Sequence, residues 1–163
     1  MRNNNVDELR NGSKVIDVLV TNERKHAEKA ESEKSTKHDM IKRKRMIYDV
    51  IKNVGIPANL RGYKYTIEAI NLVFDGKVKH SVTKEMYPVI AKKFKTTGNS
   101  VERAIRHAVE HSMINGNMEY IEEIFGYTIS ATRGRPTNSE FIYGIVNYIN
   151  LQEEIDSLQH SNL

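Results

Sequence analysis

From Met46 to Ile149 the apolar residues recur at intervals of three and four, and Gly, Pro and Asn-Gly breaks divide that run into short segments. No strand-rich region and no repeat interrupts it. The pattern predicts an all-α fold, a compact bundle of about six helices. Met46, Ile47, Val50, Ile51 and Val54 form the first stripe, which Gly55 and Pro57 end. Tyr63, Ile67, Ile70, Leu72, Val73 and Phe74 fill a second, closed by Asp75–Gly76. Thr83 caps a third, with Met86, Tyr87, Ile90, Ala91 and Phe94 inward and Lys84, Lys92 and Lys93 outward. Pro88 falls near its first turn, where a missing N–H costs least. A short connection, KTTG, leads to a fourth helix ended by Asn115–Gly116. Asn117 caps a fifth, NMEYIEEIF, which stops at Gly126. After the basic loop TRGRP, the tetrapeptide TNSE (Thr137 to Glu140) has capping-box spacing. It opens a last helix through Phe141, Ile145, Val146, Tyr148 and Ile149.

The residues before Met46 differ in kind. KVIDVLV, Lys14 to Val20, is a β-branched run with strand character. Asn22 to Asp39 is charged and nearly free of large apolar residues, which reads as a solvated helix or a linker. KRKR, Lys42 to Arg45, is a basic run, either a solvated helix end or a help in holding phosphates. The expected organisation is a tail and charged linker over 1–45, a helical domain over 46–155 and a short tail over 156–163. At 163 residues the chain suits one modest domain. The absence of cysteine excludes a disulfide framework, a thiol nucleophile and a Cys-based zinc site, and suits a reducing cytoplasm. No apolar run approaches a membrane span, and the N-terminus lacks the apolar stretch of a signal peptide. A net charge of +4 inclines the chain mildly toward polyanionic partners.

The segment from Lys95 to His111, KTTGNSVERAIRHAVEH, carries the densest chemistry. At about 100° per residue, Val101, Ala104, Ile105, Ala108 and Val109 share one side of a helix. Arg103, Arg106, His107 and Glu110 lie on the other, with Asn99 in the same sector at the start. A short helix, a turn containing Gly98 and a second helix with polar groups near its start have the layout of a helix-turn-helix. Arg can bond a guanine edge bidentately, and Glu102 can accept from a cytosine amino group. Backbone N–H groups at Thr97 to Ser100 and the helix dipole can hold a phosphate, and Lys92, Lys93 and Lys95 add non-specific attraction. An ordinary amphipathic helix pair has the same pattern, and Glu102 can equally complete a capping box with Asn99. HAVEH also reads as H-x-x-E-H, in which His107 and His111 face one zinc ion and Glu110 acts as base. The sequence offers neither a third ligand nor a cleft for that chemistry, so no metal, no cofactor and no catalysis are expected.

GYKYTIEAI, YPVIAKKF, SVERAIRHAVE, FGYTIS and PTNSEFI together resemble the C-terminal effector domain of the stage-zero sporulation protein A family, over about Ile47 to Ile149. The pairing of VERAIRHA with PTNSEF is highly specific to it. The resemblance implies a six-helix domain with a helix-turn-helix that binds a short box of double-stranded DNA, often as tandem head-to-tail copies. By position, Glu102 and Arg103 match the family's base-contacting pair, and Arg106 and His107 its flanking polar positions. Lys92, Lys93, Lys95, Thr97, Asn99 and Ser100 are the expected flanking or phosphate contacts. One departure is Ser100, where the family usually has Arg; losing a bidentate guanine contact costs about 1–3 kcal/mol of discrimination. A second is that full members carry a receiver domain of about a hundred residues or more ahead of this one. KVIDVLVTNERKHAEKA faintly resembles the start of a receiver, with Thr21–Asn22 where an acidic metal-binding pair belongs. The expectation is a cytoplasmic DNA-binding transcription regulator that acts independently of phosphorylation. The alternative is a protein-interaction module that binds a full-length relative or RNA polymerase, through the fifth helix.

Overall fold

The computed structural model describes residues 25, 26, 29, 34–78, 81–126 and 134–161. The strand-like run 14–20, most of 22–33 and the start of the TRGRP loop lie outside them. The chain divides into two units, Met1–Lys42 and Arg43–Leu163. In the first, the described residues are helical, and Met40 and Ile41 are exposed.

The second unit is all-α, with no strand among the described residues. Helix α1 covers 34–53, of which 43–53 belong to this unit. It is followed by α2 (Arg61–Phe74), a π-helical turn (Val82–Met86) that runs into α3 (Tyr87–Lys93), α4 (Gly98–Asn115), α5 (Met118–Phe125) and α6 (Asn138–Ser161). Ile47, Val50, Ile51 and Val54 of α1 are buried, as their spacing requires. They share one core with Ile70, Met86, Ile90, Ile105, Phe125, Phe141 and Ile145.

Three helices end by the same device. At each end an N–H reaches back five residues to a carbonyl while the preceding N–H reaches back three, with a left-handed residue between. For α1 these bonds are Ile56 to Ile51 and Gly55 to Lys52, with Gly55 at φ 81°. For α2 they are Lys77 to Leu72 and Gly76 to Val73, with Gly76 at φ 65°. Glycine adopts that conformation without a Cβ penalty. The end of α3 is the exception, and it lies in the candidate site.

The start of α3 departs from expectation. Ser81, not Thr83, is the cap: its hydroxyl accepts the Lys84 N–H at 3.2 Å. The helical backbone therefore begins before Pro88 as a widened π turn, in which the Tyr87 N–H reaches Val82. A regular α-turn would set the Pro88 ring against the carbonyl of Lys84, and the wide turn replaces it.

Helix α2 packs against α4 and α6, and α3 against α4. The α2–α4 crossing is a backbone contact: a Cβ on Gly62 would lie 2.2 Å from the Ala104 carbonyl oxygen and 2.6 Å from the Ala108 Cβ. At the far end of α4, the buried Ser112 hydroxyl donates to the Val54 carbonyl at 2.6 Å. Helix α5 is held through Phe125, which stacks on Phe141 with centroids 4.8 Å apart. Arg43 donates two hydrogen bonds to Glu153 at 2.8 and 2.7 Å while its guanidinium covers the Phe74 ring, joining α1 to α6. Helix α6 continues to Ser161, with Leu151, Ile155 and Leu158 exposed along its last turns.

Candidate nucleic-acid interface

Helix α3 closes on Lys95. The Thr96 N–H reaches the Ala91 carbonyl at 2.9 Å and the Lys95 N–H reaches Lys92 at 3.4 Å, with Lys95 left-handed at φ 51°. This is the closure seen after α1 and α2, made without glycine. Gly98, expected as the turn residue, is instead the first residue of α4, and a Cβ there would meet only the Tyr87 Cβ at 3.8 Å. Thr97 caps α4: its hydroxyl oxygen accepts the Ser100 N–H at 3.2 Å, and its proton goes to the Ser100 hydroxyl at 2.9 Å. The capping box between Asn99 and Glu102 does not form, because the helix begins one residue before Asn99 and Glu102 has another partner.

The apolar side of α4 is buried as its spacing predicts. Val101, Ile105, Ala108 and Val109 lie in the core with Ala104 packed beside them. Across the turn and the first half of α4, Lys92, Lys93, Lys95, Thr97, Asn99, Ser100, Arg103, Arg106 and His107 are all exposed. Arg103 makes no hydrogen bond or ion pair with the described residues. Glu102 is half-buried and pairs with Arg106 one turn on, so both are engaged before any ligand arrives. Lys93 pairs with Glu68 of α2 and lies over the Phe94 ring. Chemically, this is a helix start rimmed by cations, with an exposed guanidinium one turn in. Phosphate oxygens suit the former, and a base edge suits the latter.

A second layer supports it, which sequence reasoning missed. Asn138, the first residue of α6, donates from its side-chain amide to the Tyr87 hydroxyl at 3.0 Å and to the Glu102 carbonyl at 3.1 Å. Thr137 and Glu140 form the expected capping box, Glu140 N–H to the Thr137 hydroxyl at 3.2 Å and Thr137 N–H to the Glu140 carboxylate at 2.7 Å. A cleft of about 440 Å³ lies between these elements, lined by Val82, Thr83, Tyr87, Arg106, Arg135 and Asn138 among others. Burial pushes the Tyr87 phenol above its ordinary range, with the Asn138 bond acting against that. The signal for Asn138 was present in the TNSE motif, but a capping motif says nothing of what its second residue touches.

The zinc arrangement is not assembled. Glu110 pairs with Arg135 at 2.6 Å, His107 is exposed, and the His111 Nδ1 is buried against the fold without a hydrogen-bond partner among the described residues. No group of three or more His, Asp or Glu with metal-holding geometry occurs among the described residues. No helix among them is long and apolar enough to cross a membrane.

Residues 47–149, from the first buried isoleucine of α1 to the last of α6, match the family described as Sporulation initiation factor Spo0A C terminal. That span includes α2 to α5 and the whole α3–turn–α4 unit, and the chain belongs to this family.

Proposed function

We propose that this chain is a sequence-specific, DNA-binding transcription regulator that acts without a phosphorylation switch. Membership in the family makes it a DNA-binding effector domain of a sporulation regulator. The finer reading treats α3 and α4 as a helix-turn-helix, with α4 entering the major groove of duplex DNA from its N-terminal half. Arg103 reads a base edge, and Glu102 does so after exchanging Arg106 for a base amino group. Lys92, Lys93, Lys95, Thr97, Asn99, Ser100, Arg106 and His107 lie against the backbone and the flanking bases. The observation that carries this reading is the exposed Arg103 guanidinium, without a partner among the described residues, one turn into a helix whose preceding turn holds only cations and hydroxyls. Such a protein works in the cytoplasm, binds tandem boxes as two copies and contacts RNA polymerase, and it catalyses no reaction.

The test is a fluorescence-anisotropy titration of the family's operator box, and of a duplex selected from a random pool, against a scrambled duplex at two salt concentrations. The expected result is a clear preference that Arg103→Ala lowers by about 1–3 kcal/mol while leaving scrambled-duplex binding nearly unchanged. Equal binding of all duplexes by the unaltered protein would sink the specific reading. A second reading, a protein-docking module, draws on the exposed Ile114 and Met118 beside the acidic Glu119, Glu122 and Glu123 of α5. Partner capture that survives nuclease treatment, with no duplex preference, would favour it.

A further inference from the structure

The side-chain amide of Asn138 touches both helices of the α3–α4 pair. Its orientation is fixed by chemistry: a backbone carbonyl only accepts, so the nitrogen and not the oxygen must face Glu102. One of its two protons goes to the Glu102 carbonyl and the other to the hydroxyl of the buried Tyr87. Asn138 is itself held, because Thr137 and Glu140 lock the start of α6 by their reciprocal bonds.

The bond lands on the turn of α4 from which Glu102 and Arg103 project. A helix advances about 100° per residue, so a small rotation about its axis swings those side chains across a base pair. The Gly62 contact holds α4 from the opposite element at Ala104 and Ala108, where it limits distance more than rotation. We infer that Asn138 is a positioning residue for base reading: it fixes the rotation of α4 at Glu102 without touching nucleic acid. This rests on the reading of α4 as a groove-reading helix. Phosphate contacts, made by long flexible lysines and the helix start, tolerate a rotation that a bidentate base contact does not.

The test compares Asn138→Ala and Asn138→Asp with the unaltered protein. Each is titrated with the preferred duplex and with a scrambled duplex of equal length at two salt concentrations. Thermal unfolding is followed in parallel. Asp keeps the shape and is favoured at a helix start, but it removes both donated protons and turns an acceptor toward the Glu102 carbonyl. Ala removes them without adding charge. The expected result is a Kd for the preferred duplex about tenfold higher in both variants, with the scrambled duplex within about twofold for Ala and an unchanged salt slope. The readout is the ratio of the two constants. A merely structural loss lowers the active fraction and scales both constants alike, leaving the ratio untouched. A preserved ratio in folded Asn138→Ala and Asn138→Asp overturns the inference. If the unaltered protein itself fails to discriminate, the functional reading falls first, and the two failures are distinguishable.

Discussion

Replacing Gly62 by Ala should destabilise the helical unit, against the usual gain from removing a glycine from a helix. In an open site Gly→Ala stabilises by up to about 1 kcal/mol. Here the new Cβ would lie 2.2 Å from the Ala104 carbonyl oxygen, 2.9 Å from its carbonyl carbon and 2.6 Å from the Ala108 Cβ. Ordinary contact begins at 3.4 Å, so α2 and α4 must separate by about 1.2 Å, and a backbone carbonyl cannot swing aside. Overpacking of this kind costs about 1–3 kcal/mol, and the fixed neighbour puts it at the upper end. The net loss is about 2 kcal/mol, or about 6–10 °C in Tm for a unit of this size. Gly98→Ala is the control, since its Cβ meets only Tyr87 at 3.8 Å. That variant should hold or gain about 0.5 kcal/mol. Circular dichroism melts of the full chain, with urea midpoints, measure both. If Gly62→Ala melts at or above the unaltered protein, or above Gly98→Ala, the backbone-contact account of the α2–α4 crossing is wrong.

Two further outcomes follow from the turn and the core. Lys95→Gly should raise stability by about 0.5–1 kcal/mol by removing the cost of a left-handed Cβ at φ 51°, while lowering duplex affinity and reducing the salt slope by about one contact; a melt and a salt titration read the two separately. Tyr87 has a folded-state pKa raised by burial, so the stability it contributes is complete below the ordinary tyrosine value of about 10 and declines as pH rises beyond it, because the unfolded chain there releases its proton first. Tyr87→Phe should therefore remove about one proton from the pH dependence of unfolding above pH 10, measured by urea midpoints across that range, and an unchanged slope would refute the assignment.

The apolar half of this architecture was legible because burial follows period. Val101, Ile105, Ala108 and Val109 were readable from spacing, as were Ile47, Val50, Ile51 and Val54. Exceptions came where several residues could do the same local job. Ser81 rather than Thr83 caps the helix before Pro88, and Thr97 rather than Asn99 caps α4, since a hydroxyl or amide two residues away serves equally until tertiary packing chooses. Gly98 looked like the turn glycine, yet Lys95 takes the left-handed position, directly after the α3 C-cap Phe94, which packs partly buried against the core. Gly62 was invisible to periodicity, which registers side chains and not their absence. In the candidate site, the exposed cations and Arg103 stood where the sequence put them. The Glu102–Arg106 pair was implicit in a four-residue spacing, whereas the Asn138 bridge joins residues far apart in the chain and no local pattern encodes it.

The glycine at the α2–α4 crossing bears on association as well as on folding. Side chains that pack against one another can still hop between rotamers, but the Gly62 contact sets backbone against backbone, with no torsion left to relax. The helix that presents Arg103 is thus held at a set distance from α2 when the chain folds, long before a partner arrives, and the Asn138 bonds act on its rotation. What association must still order is a few exposed side chains, at about 0.5–1.5 kcal/mol each, and not the rod that carries them. Encounter should be fast and nearly free of any conformational step, and differences among targets should show in how slowly they dissociate.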